Sequence, residues 1–523
     1  MIARTILCVS LFVALLPAQA ATEPYELVIR GGRVVDGTGS PAAFADVAIS
    51  GGRIVAIGRI PGKGLREITA VGRIVAPGFI DVHTHCEDIL QEPLAENFLR
   101  MGVTTIVTGN CGGSALNVGR FLSNLEATNV AVNVATLIGH NTVRAHVMGG
   151  SFMRPPTVDE LARMRSLVEK AMEEGAVGLS TGLIYLPGTF AKTEEIVELA
   201  KGAAAYDGIY ASHMREEGRG IFTALDELFR IAREARIRAE VSHIKLSGNA
   251  AWGQTARVLG VIESARREGL DITQDQYVYT ASSTGLSQLV PDEAREGGKF
   301  AERIASPELK TKIIEQMKNN LQRSGRSNYS YAVIAQFRPD KSLNGLSIPE
   351  AAQKTRGDAS LDSQIETILE IERKGGGSGI FHGMSEADLQ SFLQHPNTMF
   401  ASDSGPRRFN EGVPHPRGYG NNARVLAHYV RELGLLRLEE AVRRMTSLPA
   451  TTFRLPDRGQ IRLGAFADLV IFDPEKVSDN SKFNDPHHYA TGIDEVIVNG
   501  AITIEKGAHL GARNGRPVRR SAP

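Results

Sequence analysis

The chain has 523 residues, of which 42% are hydrophobic, 23% charged and 6% aromatic, so it is long enough for one large domain with a smaller one and rich enough in apolar side chains to bury a core. Lys plus Arg and Asp plus Glu both number 59, so no basic surplus points to a nucleic-acid partner. Beyond the first twenty residues no stretch is long and apolar enough to span a bilayer, which argues against a membrane partner.

Residues 1–20 read as an export leader. Arg4 gives a positive start, residues 6–16 form an apolar run, and Ala18-Gln19-Ala20 supplies a small-residue cleavage pattern. Cleavage after Ala20 predicts a periplasmic or secreted protein. Cys8 lies inside the apolar run, which speaks against a lipid anchor. Removing the leader leaves Cys86 and Cys111, and an oxidising compartment keeps a disulfide open for them.

Residues 21–76 hold short β-like runs at 27–29, 33–35, 46–49 and 53–57, separated by glycine turns. Residues 456–523 read the same way, with strands predicted at 467–472 and 496–500. Two β-rich ends around a different middle predict one small β-sandwich built from both. Residues 77–455 alternate instead. Apolar strands at 104–107, 130–137, 176–179, 208–210, 239–241 and 398–400 are interleaved with helical patterns such as 158–174 and 193–205. Repeated β-α units predict a parallel α/β fold, with a TIM-like (β/α)8 barrel first and a doubly wound sheet second. No G-x-G-x-x-G supports the second. Residues 285–362 break the alternation and read as an insertion or lid, and the glycine-rich 375–379 as a hinge or tight turn.

Pro77-Gly78-Phe79-Ile80-Asp81-Val82-His83-Thr84-His85 carries the sharpest signal. Two histidines at i and i+2 on a strand leave on one face and can grip a metal together. Cys111, His213 and His243 each follow a predicted strand. In a barrel all strand C-termini open on one face, so these residues converge. A mixed nitrogen and sulfur set suits Zn²⁺. Asp403 ends the last predicted strand, where a carboxylate can take a proton from the attacking water and return it to a leaving amine. Taken alone it would read as a turn aspartate. His382 reads as structural, and His487 and His488 as surface or loop residues.

The Gly-Phe-Ile-Asp-x-His-x-His strand resembles the amidohydrolase superfamily. Gly109-Asn110-Cys111-Gly112, the run from Gly182 to Gly188, Ser212-His213-Met214-Arg215, Ser242-His243-Ile244-Lys245 and His415-Pro416-Arg417-Gly418 are similar to the D-aminoacylase branch, the N-acyl-D-amino-acid deacylases. So are Asp457-Arg458-Gly459 and residues 464–469. The resemblance implies that Cys111 takes the place of the carboxylated lysine that bridges two metals in many amidohydrolases. It implies a tight zinc site of Cys111, His213 and His243, and a weaker one at His83 and His85, with Asp403 as the catalytic carboxylate. It also implies that Arg417, Lys245, Tyr277, Ser283 and Tyr185 lie against a substrate that bears a free carboxylate. One departure stands out: relatives carry an acidic residue after His-x-His, whereas this chain has Cys86, which is left to touch the metal, pair with Cys111 or pack.

Zinc-dependent hydrolysis of N-acyl-D-amino acids is the expectation that follows. Cleavage of D-residue dipeptides or cyclic amides is the first rival, and a non-catalytic periplasmic ligand-binding relative the second. Intact candidates at all five metal positions and at Asp403 weigh against the latter.

Overall fold

The computed structural model describes residues 24–520. The expected leader, residues 1–20, lies outside the described residues. Eight short strands form a parallel ring: β1 (Phe79–Asp81), β2 (Val103–Thr108), β3 (Asn133–Thr136, resuming at Ile138–Gly139), β4 (Gly178–Gly182), β5 (Ile209–His213), β6 (Arg238–Val241), β7 (Ile272–Gln276) and β8 (Thr398–Phe400). Strand β2 shows why such segments form strands. Its sequence Val-Thr-Thr-Ile-Val-Thr is entirely β-branched and entirely buried, as suits a strand covered on both faces.

Neighbours pair in chain order, β1 to β3 in one arc and β3 to β8 in another. The arcs join where the Leu137 N–H donates to the Thr108 carbonyl. At the other side Thr84 bridges Ser404 in parallel. There the Asp403 N–H donates to the His83 carbonyl and the His85 N–H to the Ser404 carbonyl, both at 2.9 Å. The ring is therefore closed, and the doubly wound alternative is excluded. Helices follow the strands, among them Val158–Glu173, which starts at a Thr157–Glu160 capping box, and Thr193–Ala204.

The lower barrel interior is apolar. Ile80, Val107, Ala135, Ile209 and Met399 meet Phe453 and Val518 there. Val518 arrives on the C-terminal tail, which adds itself beneath β3: Val134 N–H donates to the Arg516 carbonyl and Val518 N–H to the Val134 carbonyl.

Both ends of the described chain enter one nine-stranded sheet, joined where Ile74–Pro77 pairs antiparallel with Leu469–Phe472. Leu27, Ile29, Val47 and Ile54 pack there with Leu469, Ile471 and Ile497. Between β7 and β8 the chain builds a separate three-stranded antiparallel sheet from Ala281–Gly285, Ala332–Gln336 and Ser378–His382. Helices Pro307–Arg323, Ile348–Arg356 and Leu361–Arg373 give it an apolar core of its own. The inserted element thus runs from Ala281 to His382, wider than the expected 285–362. Ala281–Gly285 and the start of the central strand Ser378–His382 are rich in serine, threonine and glycine and lack apolar alternation, which is why Ser378 and Gly379 read as a hinge or tight turn. Among the described residues no helix is long and apolar enough to cross a membrane.

Asp81 fastens the ring. Its carboxylate is fully buried and accepts the backbone N–H of Ser402 at 3.0 and 3.1 Å and that of His83 at 3.2 Å. Burial pushes its carboxyl up to about 7. Asp81→Ala leaves two buried donors unpaired and should cost about 2–4 kcal/mol of stability. Urea unfolding of the metal-free protein measures this, and an unchanged midpoint would refute the role.

Candidate metal centre and active site

Each candidate ligand sits at or just beyond the end of a strand, on the face where all eight strands end. His83 is fully buried, and its Nε2 lies 3.3 Å from Cys111 Sγ. His83 Nε2 and His85 Nε2 lie 3.7 and 3.1 Å from one oxygen, Asp403 Oδ1. The i, i+2 pair therefore converges as its spacing predicts. Cys111 Sγ is 3.6 Å from both His213 Nδ1 and His243 Nε2. Its turn demands glycine, because Gly112 has φ 75° and a Cβ there would lie 2.1 Å from Asn141 Oδ1. Cys111, His243 and Asp403 themselves hold left-handed backbone, with φ of 52°, 37° and 50°. Residues with a Cβ are strained there, and such strain gathers where side chains must be aimed.

The donor set fits zinc. Tetrahedral Zn–S and Zn–N bonds of roughly 2.3 and 2.05 Å place sulfur and nitrogen about 3.6 Å apart. Sulfur-to-nitrogen separations of 3.3–3.6 Å match that edge. Burial raises the Cys111 thiol, but His83, His213 and His243 overturn this and hold it well below its ordinary range, as a thiolate ligand requires. His83, His85 and Asp403 form a second convergent group.

Two carboxylates orient the imidazoles from behind, and neither was singled out in the sequence. Asp275, within β7, accepts His83 Nδ1 at 3.1 Å and the His243 backbone N–H at 3.0 Å. Glu217 Oε1 lies 3.0 Å from His243 Nδ1 and 3.8 Å from His213 Nε2. His213 offers Nδ1 to the centre and His243 offers Nε2, so one carboxylate faces the outer nitrogens of two opposite tautomers. A sign of it was available: Glu217 stands four residues after His213.

Asp403 is bracketed by cations. Burial would raise its carboxyl, but Arg417, at 2.8 Å, together with His83 and His85 holds it well below the usual carboxylate range. Arg417 is 2% exposed, donates Nη2 to the Ser283 carbonyl at 3.1 Å and stacks 4.5 Å over the Tyr277 ring. Its Nε has no protein partner. A buried guanidinium with an idle N–H is disposed to accept an anionic ligand. Arg417, Ser283, Asp403 and His85 line one cavity of about 300 Å³.

The other candidates lie around it. Tyr185 packs 4.8 Å from the His213 ring and its hydroxyl receives the Thr284 O–H. Burial pushes the Tyr185 and Tyr277 phenols well above their ordinary range, so both stay protonated donors. Lys245 does not reach the cavity: its Nζ donates to Glu217 at 2.5 Å and lies beside His243, 2.7 Å from Nδ1. Sequence order could not give that direction. Cys86 is fully buried and free, so it packs and makes no bridge to Cys111. His382 is exposed, away from the centre, and packs on Phe483. His488 is at the surface, but His487 is engaged with Tyr419 and Gly412.

Glu217→Gln removes the shared charge while keeping the shape. Zinc affinity should fall about 10- to 100-fold. Competition with a chromophoric chelator reads this independently of activity, and an unchanged affinity would remove Glu217 from the centre.

The amidohydrolase family profile matches residues 66–284 and 354–504. D-aminoacylase of Alcaligenes xylosoxydans xylosoxydans is 37% identical, covering 97% of this chain and 100% of that protein. N-acyl-D-glutamate deacylase of the same organism is 35% identical over 96% and 98%. The solved N-acyl-D-glutamate deacylase of Bordetella bronchiseptica, complexed with zinc and a phosphonate mimic of the tetrahedral intermediate, superposes with a TM-score of 0.82 at 32% identity, covering 95% of this chain and 100% of that one. With its cysteine-containing donor cluster and this full-length likeness, the chain belongs to the amidohydrolase family, in its D-aminoacylase branch.

Proposed function

We propose that this chain hydrolyses the amide bond of N-acyl-D-amino acids, releasing a carboxylate and a free D-amino acid, with zinc as its metal. One observation carries the reading: Asp403 lines one cavity with His85 and the Arg417 guanidinium, and its carboxylate converges with His83 and His85 beside the Cys111–His213–His243 donors. The likeness to D-aminoacylase and to a zinc-containing deacylase supports the substrate class and the metal.

Cys111, His213 and His243 would hold the tight zinc, with His83 and His85 toward a second site. When bound, the metal supplies Lewis-acid polarisation of the scissile carbonyl and a nucleophile at neutral pH. Asp403, ionised by its cationic neighbours, accepts the proton of the attacking water and hands it to the leaving nitrogen as the C–N bond breaks. Arg417 Nε receives the substrate's α-carboxylate. Tyr185 and Tyr277 lie behind this space as neutral phenols, one against Thr284 and the other under Arg417. A guanidinium of this kind favours substrates with a free carboxylate over uncharged cyclic amides.

Export is part of the same proposal and rests on Arg4, the apolar run and Ala18-Gln19-Ala20. Amino-terminal sequencing of protein recovered from the periplasm or medium should begin at Ala21, and an intact Met1 would refute processing.

Zinc-loaded protein should release amine from N-acetyl-D-amino acids and spare the L-series. Asp403→Asn should lower kcat about 10²- to 10⁴-fold with zinc content preserved. Equal turnover of both series, or an unaffected variant, would overturn the assignment.

A further inference from the structure

Arg407 is a pocket cation that the deacylase reading leaves unused. It lines the same cavity as Asp403 and Arg417. Its position is fixed from several sides. Nε and Nη2 donate to Ser404 Oγ at 3.1 and 2.9 Å, and the backbone N–H donates to Asn97 Oδ1 at 3.2 Å. Asn97 also donates to the carbonyls of Gly405 and Gly418, tying the loop's start to the following helix. The tip is pinned too. Phe409 packs on Tyr419 and Tyr489, Asn410 N–H donates to His487 Nδ1, and His487 Nε2 donates to the Gly412 carbonyl.

Charge is what this arrangement leaves unmatched. Arg407 is partly buried and has no acidic partner among the described residues. Burial and the nearby Arg417 both work against its charge, yet a guanidinium does not give up its proton. The acids of the cavity are placed elsewhere. Asp403 is committed to Arg417, Glu411 accepts Gln336 Nε2 at 2.7 Å, and Asp88 is exposed at the rim. With the α-carboxylate assigned to Arg417, Arg407 is left to meet a second anionic group.

We propose that Arg407 binds a second carboxylate of the substrate, so that the preferred N-acyl-D-amino acids are dianionic. The inference rests on the deacylase reading and narrows its substrate class. The second carboxylate belongs either to an acidic side chain or to a dicarboxylic acyl group, since a guanidinium reads both alike.

The test compares kcat/KM for N-acetyl-D-glutamate, its neutral isostere N-acetyl-D-glutamine, N-acetyl-D-leucine and N-succinyl-D-leucine, with the wild type, Arg407→Met and Arg407→Lys, each checked for zinc content and melting temperature. The wild type should prefer a dianionic substrate over its neutral counterpart by about tenfold or more. Glutamate over glutamine places the second carboxylate on the side chain, and succinyl-leucine over acetyl-leucine places it on the acyl group. Arg407→Met should lose about tenfold or more on the preferred dianion, chiefly in KM, and less than about threefold on the neutral substrates, with partial recovery in Arg407→Lys. Equal losses on charged and neutral substrates, or no wild-type preference for a dianion, would overturn the inference while leaving the deacylase reading intact. No turnover of any of the four by the wild type would overturn both.

Discussion

Where β1 meets β8, two backbone hydrogen bonds and the buried Asp81 carboxylate close the ring of strands. The same bonds set the chemistry. Asp403 N–H is tied to the His83 carbonyl and His85 N–H to the Ser404 carbonyl, so three active-site side chains inherit their spacing from one seam. Without it, residues some 320 positions apart would have no reason to present one carboxylate oxygen to two imidazoles. Barrel closure and active-centre assembly are one event in this protein.

Preorganisation is carried by the layer behind the ligands. Asp275 grips one imidazole by its ring and another by its backbone. Glu217, compensated by Lys245, faces two more ring nitrogens. A carboxylate behind an imidazole fixes its tautomer and strengthens it as a donor. The left-handed backbone at Cys111, His243 and Asp403 shows that aim is maintained against local preference. Extensive burial makes that possible, because a well-packed surround holds conformations an exposed loop would abandon.

Much of this was legible in the sequence where chemistry coincides with periodicity. His83 and His85 share a face by strand geometry, and Cys111, His213, His243 and Asp403 each follow a recognisable apolar strand. The repeated β-α alternation led to the barrel; the two β-rich ends were read as one small β-sandwich, and the strands they contribute form one nine-stranded sheet. Asp275 was passed over because a carboxylate facing a ring nitrogen has no fixed spacing, and Glu217 because its place four residues after His213 points to no partner until the fold brings His243 beside it. Lys245 adjoins a ligand motif, but only the turn after β6 decides that its ammonium points behind His243. Two of the insertion's strands, Ala281–Gly285 and Ser378–His382, escaped notice because serine, threonine and glycine form a strand only when tertiary pairing overrides their local preference. His487 is anchored by a loop 75 residues away that no local pattern connects to it.

The tail that carries Val518 beneath the barrel has a temporal meaning. Strands are translated in order, and Phe453 and Val518, which fill the lower interior, both lie beyond the last of them, which ends at Phe400. A nascent chain holding all eight strands therefore still has an unsealed floor, and the sheet shared by both ends still lacks four of its nine strands. Full cooperativity waits for late-made segments, which keeps the growing chain loosely organised during synthesis.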